Sequence, residues 1–483
     1  MQINKLLTIV LFILPCTLFP DSYHNINGFY GERAAGLGGA YTAISDDPSG
    51  AFYNPAGIGF AYDNSISISA SNYRIIEKDY LNVDSPGEAY GQISRNFLPN
   101  FIGVITSYDE MKVGFSIVNT INENFTRNDQ ITIPVYSPTI NNYKIYNVET
   151  YNQVLFGPSI GYALSEKFSV GGTLYFFEDN NQLTITQLQQ FNDSSYVMVA
   201  DVDNRRTVGV IPILGIQYMP TEKLSLGLSL RQTIVTGRNR LLSQVYADSL
   251  VASRTNNIRF SEGTDSFYGS VDENNNIIKR PNPTGEVPQV AEIRAGFAYF
   301  ANKRFMTSFD IIHTSGYRKS KQQIESMIGG AAGAKVIWYD PEILELTQRA
   351  TTNFALGIEY YLLDNLSLLL GSYTNDSNAP KIDWADTAIK DYARSIIGSE
   401  VSATANGLTL AYAIPAFQFN PRSEYVNNIG YSVGLSWASA KASISLTIGR
   451  ETGYGTSKID VNSLAQPLQY SGTSFYIVAT SRN

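Results

Sequence analysis

The sequence predicts an all-β protein: a 14-stranded antiparallel transmembrane β-barrel with an N-terminal hatch inside its lumen. Three observations predict this fold. Charged residues make up only 16% of the 483-residue chain and aromatic residues 12%, whereas an average soluble protein carries about 25% charged residues. From residue 63 onward, apolar residues alternate with small or polar ones. The connections between the predicted strands alternate between short and long.

The alternation has a period of two residues, which places one set of side chains on each face of a strand. In residues 224–231, four leucines alternate with three small residues and an arginine. A soluble β-sandwich would alternate too, because one face of each sheet meets its core. The predicted strands are 64–75, 100–109, 111–121, 149–164, 166–180, 196–218, 222–237, 286–301, 303–316, 351–363, 365–374, 427–438, 441–452 and 472–482.

The lengths of the connections distinguish a barrel from a sandwich. Short ones contain DEMK, SEK, PTEK, ANK, DN and ASAK, and the long ones are 76–99, 122–148, 181–195, 238–285, 317–350, 375–426 and 453–471. Short periplasmic turns and long extracellular loops are typical of outer-membrane barrels, and an even strand number leaves both chain ends in the periplasm. Residues 406–417 resemble a further strand, but a fifteenth strand would break the parity, so they are assigned to the loop.

The N-terminus predicts export. Residues 1–20 have a short basic region at Lys5 and an apolar stretch too short to span a bilayer as a helix. We therefore expect a signal peptide over 1–20, a hatch over 21–62 and a barrel with long extracellular loops over 63–483, located in the outer membrane. Cys16 is the only cysteine. Acylation of Cys16 is an alternative, although Pro15 fits a lipoprotein signal poorly.

Composition excludes several function classes. The net charge of -8 argues against nucleic acid as a partner. One cysteine and two distant histidines predict neither a metal site nor a histidine-dependent catalytic triad, and no nucleophile–base–acid constellation is found. The adjacent carboxylates Asp46 and Asp47 lack a calcium-loop pattern and are expected to serve in turns or caps. The sequence thus predicts a non-enzyme without a cofactor.

Residues 28–60 predict a compact plug packed inside the barrel. This stretch contains eight glycines, which let the backbone turn tightly or approach another chain closely. Asp47-Pro48 and Asn54-Pro55 restrict the backbone before each proline.

At these residues the chain resembles a known family, the FadL/TodX outer-membrane transporters of long-chain fatty acids and other hydrophobic compounds. GERAAGLGGAYTAISDDPSGAFYNPAGIGF is similar to the hatch motif of that family, ending in Asn54-Pro55-Ala56. VPQVAEIRAGFAYFANKRFMTSFDI and LGIEYYLLDNLSLLLGSYTNDSNAP are similar to family strands. The resemblance covers roughly residues 28–480. It implies a 14-stranded barrel plugged by the hatch, with a lumenal pocket, hatch movement and sideways release through a gap near a kink in the third strand.

The resemblance and the strand parity together define candidate binding or gating residues. Asn54, Pro55 and Ala56 either gate or anchor the hatch, or form a simple tight turn. Phe52 and Tyr53 either face the lumenal ligand or pack the plug. Arg231 and Arg294 have lumenal parity: they either bind a substrate carboxylate or form a charge network with Glu292 or Glu359. No catalytic or metal residue is predicted.

Parts of the chain depart from the family pattern. The loops 181–195 and 238–285, which should form an outer hydrophobic groove, are rich in polar residues. Helices are expected instead at 319–328, 341–349 and 386–397. The third strand shows no obvious kink signature, and Gly114 is only one candidate.

The leading hypothesis is uptake of long-chain fatty acids or other hydrophobic small molecules by a monomer embedded in outer-membrane lipid. The alternatives are a secretion-associated barrel resembling PorV, a surface adhesin, and an open porin, which the plug disfavours. A carrier needs an apolar pocket continuous with the hatch, whereas a secretion barrel or an adhesin can be filled solid. The roles of the loops 238–285, 317–350 and 375–426 stay open.

Overall fold

A computed structural model of the chain describes residues 23–81, 89–131, 140–191, 196–251, 254–263, 268–271, 277–280, 287–318, 324–329, 335–340, 347–382, 400–405, 408–413, 423–458 and 465–482. The expected signal peptide at 1–20 and the expected helix at 386–397 lie outside these residues.

The described residues form 25 strands, 17 of which belong to one closed sheet. Sixteen of them build the wall, and the seventeenth, Arg254–Gly263, pairs with one wall strand. The wall strands are β1 (Asn64–Leu81), β2 (Ala89–Leu98), β3 (Phe101–Tyr108), β4 (Met111–Ile131), β5 (Ile140–Ser165), β6 (Phe168–Phe191), β7 (Tyr196–Thr221), β8 (Leu224–Gln232), β9 (Ile234–Val251), β13 (Ala291–Asn302), β14 (Phe305–Thr314), β19 (Thr351–Leu363), β20 (Leu366–Asn375), β23 (Ser423–Ala438), β24 (Ala442–Lys458) and β25 (Gln466–Arg482).

The wall is an antiparallel barrel with 14 strand positions. Its 16 strands fill only 14 positions because β2 and β3 together occupy one position, and β8 and β9 together occupy another. Each position pairs with its neighbours along the chain, and β25 pairs with β1 from Ser65 with Arg482 to Tyr80 with Leu468. The predicted strand number, antiparallel order and short turns are therefore confirmed.

The wall has an apolar outer face and a buried inner face. On β8, the outward residues Leu226, Leu228 and Leu230 are 40–46% exposed, while the inward Ser225 and Ser229 are 2% exposed. Large apolar side chains exposed around a whole barrel require lipid rather than water as their surroundings. The hydrophobic core accordingly lies in the lumen, around Tyr41 and Tyr53.

The outer apolar band is one bilayer high. On β6 the outward residues run from Phe168 to Phe176, the nine or so residues that a tilted membrane strand needs. The next outward residue, Glu178, pairs with Arg206 at 2.8 Å with both side chains about 40% exposed. This ion pair marks the upper limit of the band.

β5, β6 and β7 continue well beyond this limit. They contain 26, 24 and 26 residues, so most of the expected loop 181–195 is strand, as far as Phe191. The prediction failed because it followed the apolar alternation, which ends where the membrane ends. The ladder of backbone hydrogen bonds needs a neighbouring strand and no apolar face.

The described parts of the long loops contain strands as well. The shorter strands are β10 (Arg254–Gly263), β11 (Tyr268–Val271), β12 (Ile277–Arg280), β15 (Tyr317–Arg318), β16 (Ile324–Gly329), β17 (Lys335–Asp340), β18 (Thr347–Gln348), β21 (Glu400–Ala405) and β22 (Leu408–Ala413).

Three pairs among these strands bear on the predictions. The helix expected at 319–328 is wrong over Ile324–Ile328, which pairs with β17; KVIWYD in β17 is rich in the β-branched and aromatic residues that favour strands. Of the helix expected at 341–349, the described residues Thr347 and Gln348 form a short strand with β15. β21 and β22 pair with each other outside the wall, so the described residues 408–413 of the stretch 406–417 add no strand to the wall, as predicted.

In the described part of the wall, most of the backbone pairing is missing between β2 and β4, a place here called the β2–β4 seam. β3 pairs with β4 from Tyr108 to Phe101, but in the described wall β2 pairs with β4 only at Ser94 and Phe125. On the other side of β4 the register shifts around Thr120. The irregularity of the third strand position is therefore at Thr120 and not at Gly114, which is paired regularly with both neighbours.

Within the described residues, no helix is long and apolar enough to cross a membrane.

Candidate functional site: the hatch and the cavity above it

Residues 23–61, here called the hatch, lie inside the lower barrel, toward the short turns. They contain the helices α1 (Glu32–Gly36) and α2 (Gly50–Tyr53) and a 3₁₀ helix at Pro55–Phe60. Tyr41 and Leu37 are fully buried. Gly38 has a φ of 62° and its backbone lies against β20, a conformation that favours glycine.

The wall approaches the hatch through inward-facing glycines, here called the glycine ring. A Cβ built on any of them would contact a hatch residue between Leu37 and Gly59 too closely. The ring consists of Gly103, Gly161, Gly171, Gly215, Gly227, Gly296, Gly357 and Gly371. Several are direct cross-strand partners, such as Gly161 with Gly171 and Gly171 with Gly215. The missing side chains leave the space that the hatch backbone fills.

Asn54, Pro55 and Ala56 lie against this ring. The Asn54 Nδ2 donates to the carbonyl oxygens of Thr42 at 2.8 Å and Ile216 at 3.0 Å, and its Oδ1 accepts from the amide of Ala56 at 3.2 Å. A Cβ at Gly171 would meet the Pro55 carbonyl. Asn54 therefore caps the 3₁₀ helix and joins the hatch to β7 at the same time.

Charged groups connect the hatch to other strands. Arg33 bridges Glu359 at 2.7 Å and Asp46 at 2.9 Å. The Asp310 Oδ2 accepts hydrogen bonds from the backbone amides of Tyr41 and Thr42, so this carboxylate is bound to the hatch. Glu359 is thus a partner of the hatch and not of Arg231 or Arg294.

Glu32 connects the hatch to the last strands of the wall. It accepts hydrogen bonds from the hydroxyls of Ser436, at 2.5 Å, and Ser443. The guanidinium of Arg482 lies 3.7 Å from the same carboxylate.

Asp47 serves in a turn. Its Oδ1 accepts from the amide of Ser49 at 2.7 Å and from the Ser49 hydroxyl, an Asx-type turn that starts α2. Burial raises the pKa of the Asp47 carboxyl to about 6. Among the residues that the structure describes, no cluster of potential metal ligands is found, and Asp46 is paired with Arg33.

Phe52 and Tyr53 form the upper surface of the hatch together with Arg231 and Arg294. The Arg231 Nη2 donates to the Phe52 carbonyl at 2.5 Å, and its guanidinium lies 4.3 Å from the centre of the Phe52 ring. The Arg294 guanidinium lies 5.5 Å from the Tyr53 ring. The Ser229 hydroxyl donates to the Tyr53 carbonyl at 2.8 Å. The C-terminal carbonyls of α2 are thereby held by β8.

Glu292 completes this group. Its Oε1 lies 3.1 Å from the Nε of Arg231 and 2.5 Å from the Nε of Arg294. The contact to Arg231 lacks hydrogen-bond geometry, so the buried Arg231 Nε makes no hydrogen bond within the described residues. Of the two partners that the sequence offered for the arginines, Glu292 is the one found.

Above this surface lies a cavity of about 190 Å³. Phe52, Tyr53, Arg231 and Arg294 line it, whereas Asn54, Pro55 and Ala56 do not. The structure therefore separates the predicted site residues into a cavity group and a group packed on the wall.

Other residues of the cavity wall were missed from the sequence. They include Tyr30, Thr120, Tyr151 and Gln153. The inward parity of β4 and β5 could have indicated Tyr151 and Gln153. Thr120 has no such signal, because the register shift at this residue changes the parity of β4.

Comparisons with known proteins give two findings. The model of a family described as "Type IX secretion system membrane protein PorP/SprF" matches residues 56–241, less than half of the chain. No curated protein matches this sequence significantly.

Solved structures match over nearly the whole chain. The CymD monoaromatic hydrocarbon channel has 15% identity and a TM-score of 0.52, with 95% of this chain and 98% of that chain covered. The toluene transporter TodX of P. putida has 12% identity and a TM-score of 0.57, covering 95% and 99%. A Pseudomonas aeruginosa FadL homologue has 12% identity and a TM-score of 0.55, covering 97% and 99%. At these identities the likeness concerns the fold alone, and this chain shares the fold of those channels.

Proposed function

We propose that this protein is an outer-membrane transporter that takes up hydrophobic small molecules through the cavity above the hatch. The cavity carries this proposal, because a barrel with a purely structural role has no need for one. Its wall combines apolar residues such as Leu155, Ile211 and Ile312 with a large polar share that includes Gln153 and Asn378, so it offers a ligand both an apolar surface and several polar groups. An N-terminal signal peptide would direct the chain to this membrane.

The route of release follows from the β2–β4 seam. Thr120 and Ile121 line the cavity and belong to the strand at the interruption. The Tyr30 hydroxyl donates to the Thr120 carbonyl at 3.4 Å, and the Asn100 Nδ2 donates to the Phe29 carbonyl at 2.9 Å. The hatch thus binds both sides of the seam, and we assign it a gating role there. Movement of residues 29–30 opens a path from the cavity into lipid, where an apolar ligand is delivered without a water-filled pore.

Within the hatch, one part is fixed and the part next to it responds to the ligand. The fixed part consists of Asn54, Pro55 and Ala56, and the responsive part consists of Phe52 and Tyr53. The first group is held by the glycine ring and by backbone hydrogen bonds. The second group contacts the cavity and is held by side chains of β8.

The test compares two tryptophan substitutions on β7. Ile211 is 8% exposed and lines the cavity, whereas Leu214 is 64% exposed on the lipid face. In cells that express the barrel, we expect Ile211→Trp to reduce uptake of radiolabelled toluene and palmitate at least fivefold. Leu214→Trp should leave uptake unchanged. Equal uptake by both variants, at equal amounts of heat-modifiable barrel, would refute passage through the cavity.

A second function is favoured by the match to the secretion-system family: a barrel component of a type IX secretion machine. The match includes β5, β6 and β7, whose extensions beyond the apolar band offer a surface to a partner. Pull-down of the native complex from its own cells distinguishes the two functions. Copurified secretion components, together with absent ligand uptake, would favour this second role.

A further inference from the structure

The size of the cavity restricts the ligand class. This step rests on the proposed function. A dry protein cavity of about 150 Å³ accommodates benzene, and the cavity above the hatch measures about 190 Å³. It therefore has room for one substituted six-membered ring. An extended long acyl chain would have to reach beyond it.

The charged side chains at the cavity favour an anionic ligand. The side chains of Arg231, Arg294 and Glu292 line the cavity and are 12%, 7% and 9% exposed. One glutamate oxygen serves both arginines, so this trio carries one net positive charge. Asp310, also close to Arg294, has one oxygen engaged by two hatch amides and is not part of the cavity lining. A buried excess cation is costly unless it is paired.

The donor geometry agrees with the charge. The Arg231 Nε makes no hydrogen bond of acceptable geometry within the described residues. Its Nη2 is occupied by the Phe52 carbonyl, a neutral acceptor that a carboxylate can replace with a stronger, charge-assisted bond. A planar carboxylate matches the guanidinium fork.

The aromatic rings define the rest of the subsite. Phe52 contacts Tyr30 edge to face, with ring centres 4.7 Å apart and planes at 70°. Tyr53 packs on Phe52 in the same way at 5.3 Å. All three rings line the cavity. Such rings favour a flat aromatic ligand beside the arginines.

We propose that the cavity binds a compact aromatic carboxylate of benzoate size, with its carboxylate on Arg231 and Arg294 and its ring against Phe52 and Tyr30. Binding withdraws Arg231 from the Phe52 carbonyl. Ligand occupancy therefore weakens one of the two hydrogen bonds by which β8 holds the end of α2.

The test measures binding of radiolabelled benzoate to the full-length barrel in detergent, with toluene as its neutral analogue and palmitate as the long-chain probe. We expect saturable benzoate binding at least tenfold tighter than toluene binding. Arg231→Gln should remove this preference. Arg231→Lys should restore part of the preference, and Arg304→Gln, in an exposed turn, should change nothing. Heat modifiability on a gel verifies that each variant is folded.

The wild-type protein alone decides the main point, so the test does not depend on a variant. Tight toluene binding without benzoate binding would overturn this inference and leave the proposed transporter intact. Palmitate binding that benzoate does not displace would do the same. Binding of none of the three probes would overturn both the inference and the proposed function.

Discussion

The lower and upper halves of the lumen are built from the same strands but differ in content. In the lower half, the inward residues are mostly glycine and serine, and the hatch backbone fills the space they leave. In the upper half, the same strands present arginine, glutamate and aromatic residues, and a cavity remains. An inward face of small residues therefore indicates a tightly packed plug rather than a water-filled channel.

The largest effect is expected where the lower half admits no side chain. Gly171→Val places a side chain against the Pro55 carbonyl, which is backbone and cannot turn aside. Overpacking costs about 1–3 kcal/mol and more where backbone must shift, so we expect the hatch to be displaced. Limited proteolysis of folded barrels should then cleave within residues 23–61.

The neighbouring glycine provides the control. Gly172 faces outward, and the nearest atoms to its added Cβ lie at an ordinary 3.7 Å. Gly172→Val should therefore leave the hatch protected. Equal protection in both variants would show that the glycine ring is not needed to hold the hatch.

A smaller effect is expected from Asn54→Ala. The substitution removes both bonds to carbonyl oxygens and the cap on the Ala56 amide, and buried groups left without partners cost about 1–3 kcal/mol each. The temperature at which the hatch becomes protease-sensitive should fall clearly. Asn365→Ala, in an exposed turn, should have no effect, and an equal fall in both variants would contradict the anchoring role of Asn54.

The smallest effect is a pH dependence at Asp47. Its pKa is raised to about 6 by burial, so the folded hatch holds a proton that an unfolded hatch has already released between about pH 4 and 6. The stabilising contribution of Asp47 is therefore complete below about pH 4 and is lost as the pH rises through 6. Ser49 hydrogen bonds oppose this rise of the pKa, whereas Asp46 and Glu32 add to it.

Asp47→Asn isolates this effect. The amide does not titrate, so the fall in protease resistance between pH 4 and pH 8 should shrink relative to the wild type. An unchanged profile would assign the pH dependence to other carboxylates.

The sequence predicts the wall well because lipid imposes a strict rule on each strand. Leu226, Leu228 and Leu230 face lipid and Ser225 and Ser229 face inward, so parity alone gives strand number and turns. Beyond the membrane this rule no longer applies, so the sequence of the polar part of β6, up to Phe191, predicts a loop. Arg231 and Arg294 face inward as their parity suggests, and they meet Phe52 and Tyr53 of the hatch at the cavity. The position of the seam within the third strand could not be predicted, since a register shift at Thr120 depends on which neighbour β4 loses.

Glu32 has a consequence for the order of folding. It lies in the hatch, near the start of the chain, yet its partners Ser436 and Ser443 follow about 400 residues later. His24 likewise contacts the carbonyl of Val426. These bonds form only when β23 and β24 have joined the wall, and contacts so distant in sequence make folding slow. The hatch therefore lacks these partners until the last strands have paired. Closure of the barrel and insertion of the hatch then become one late kinetic step.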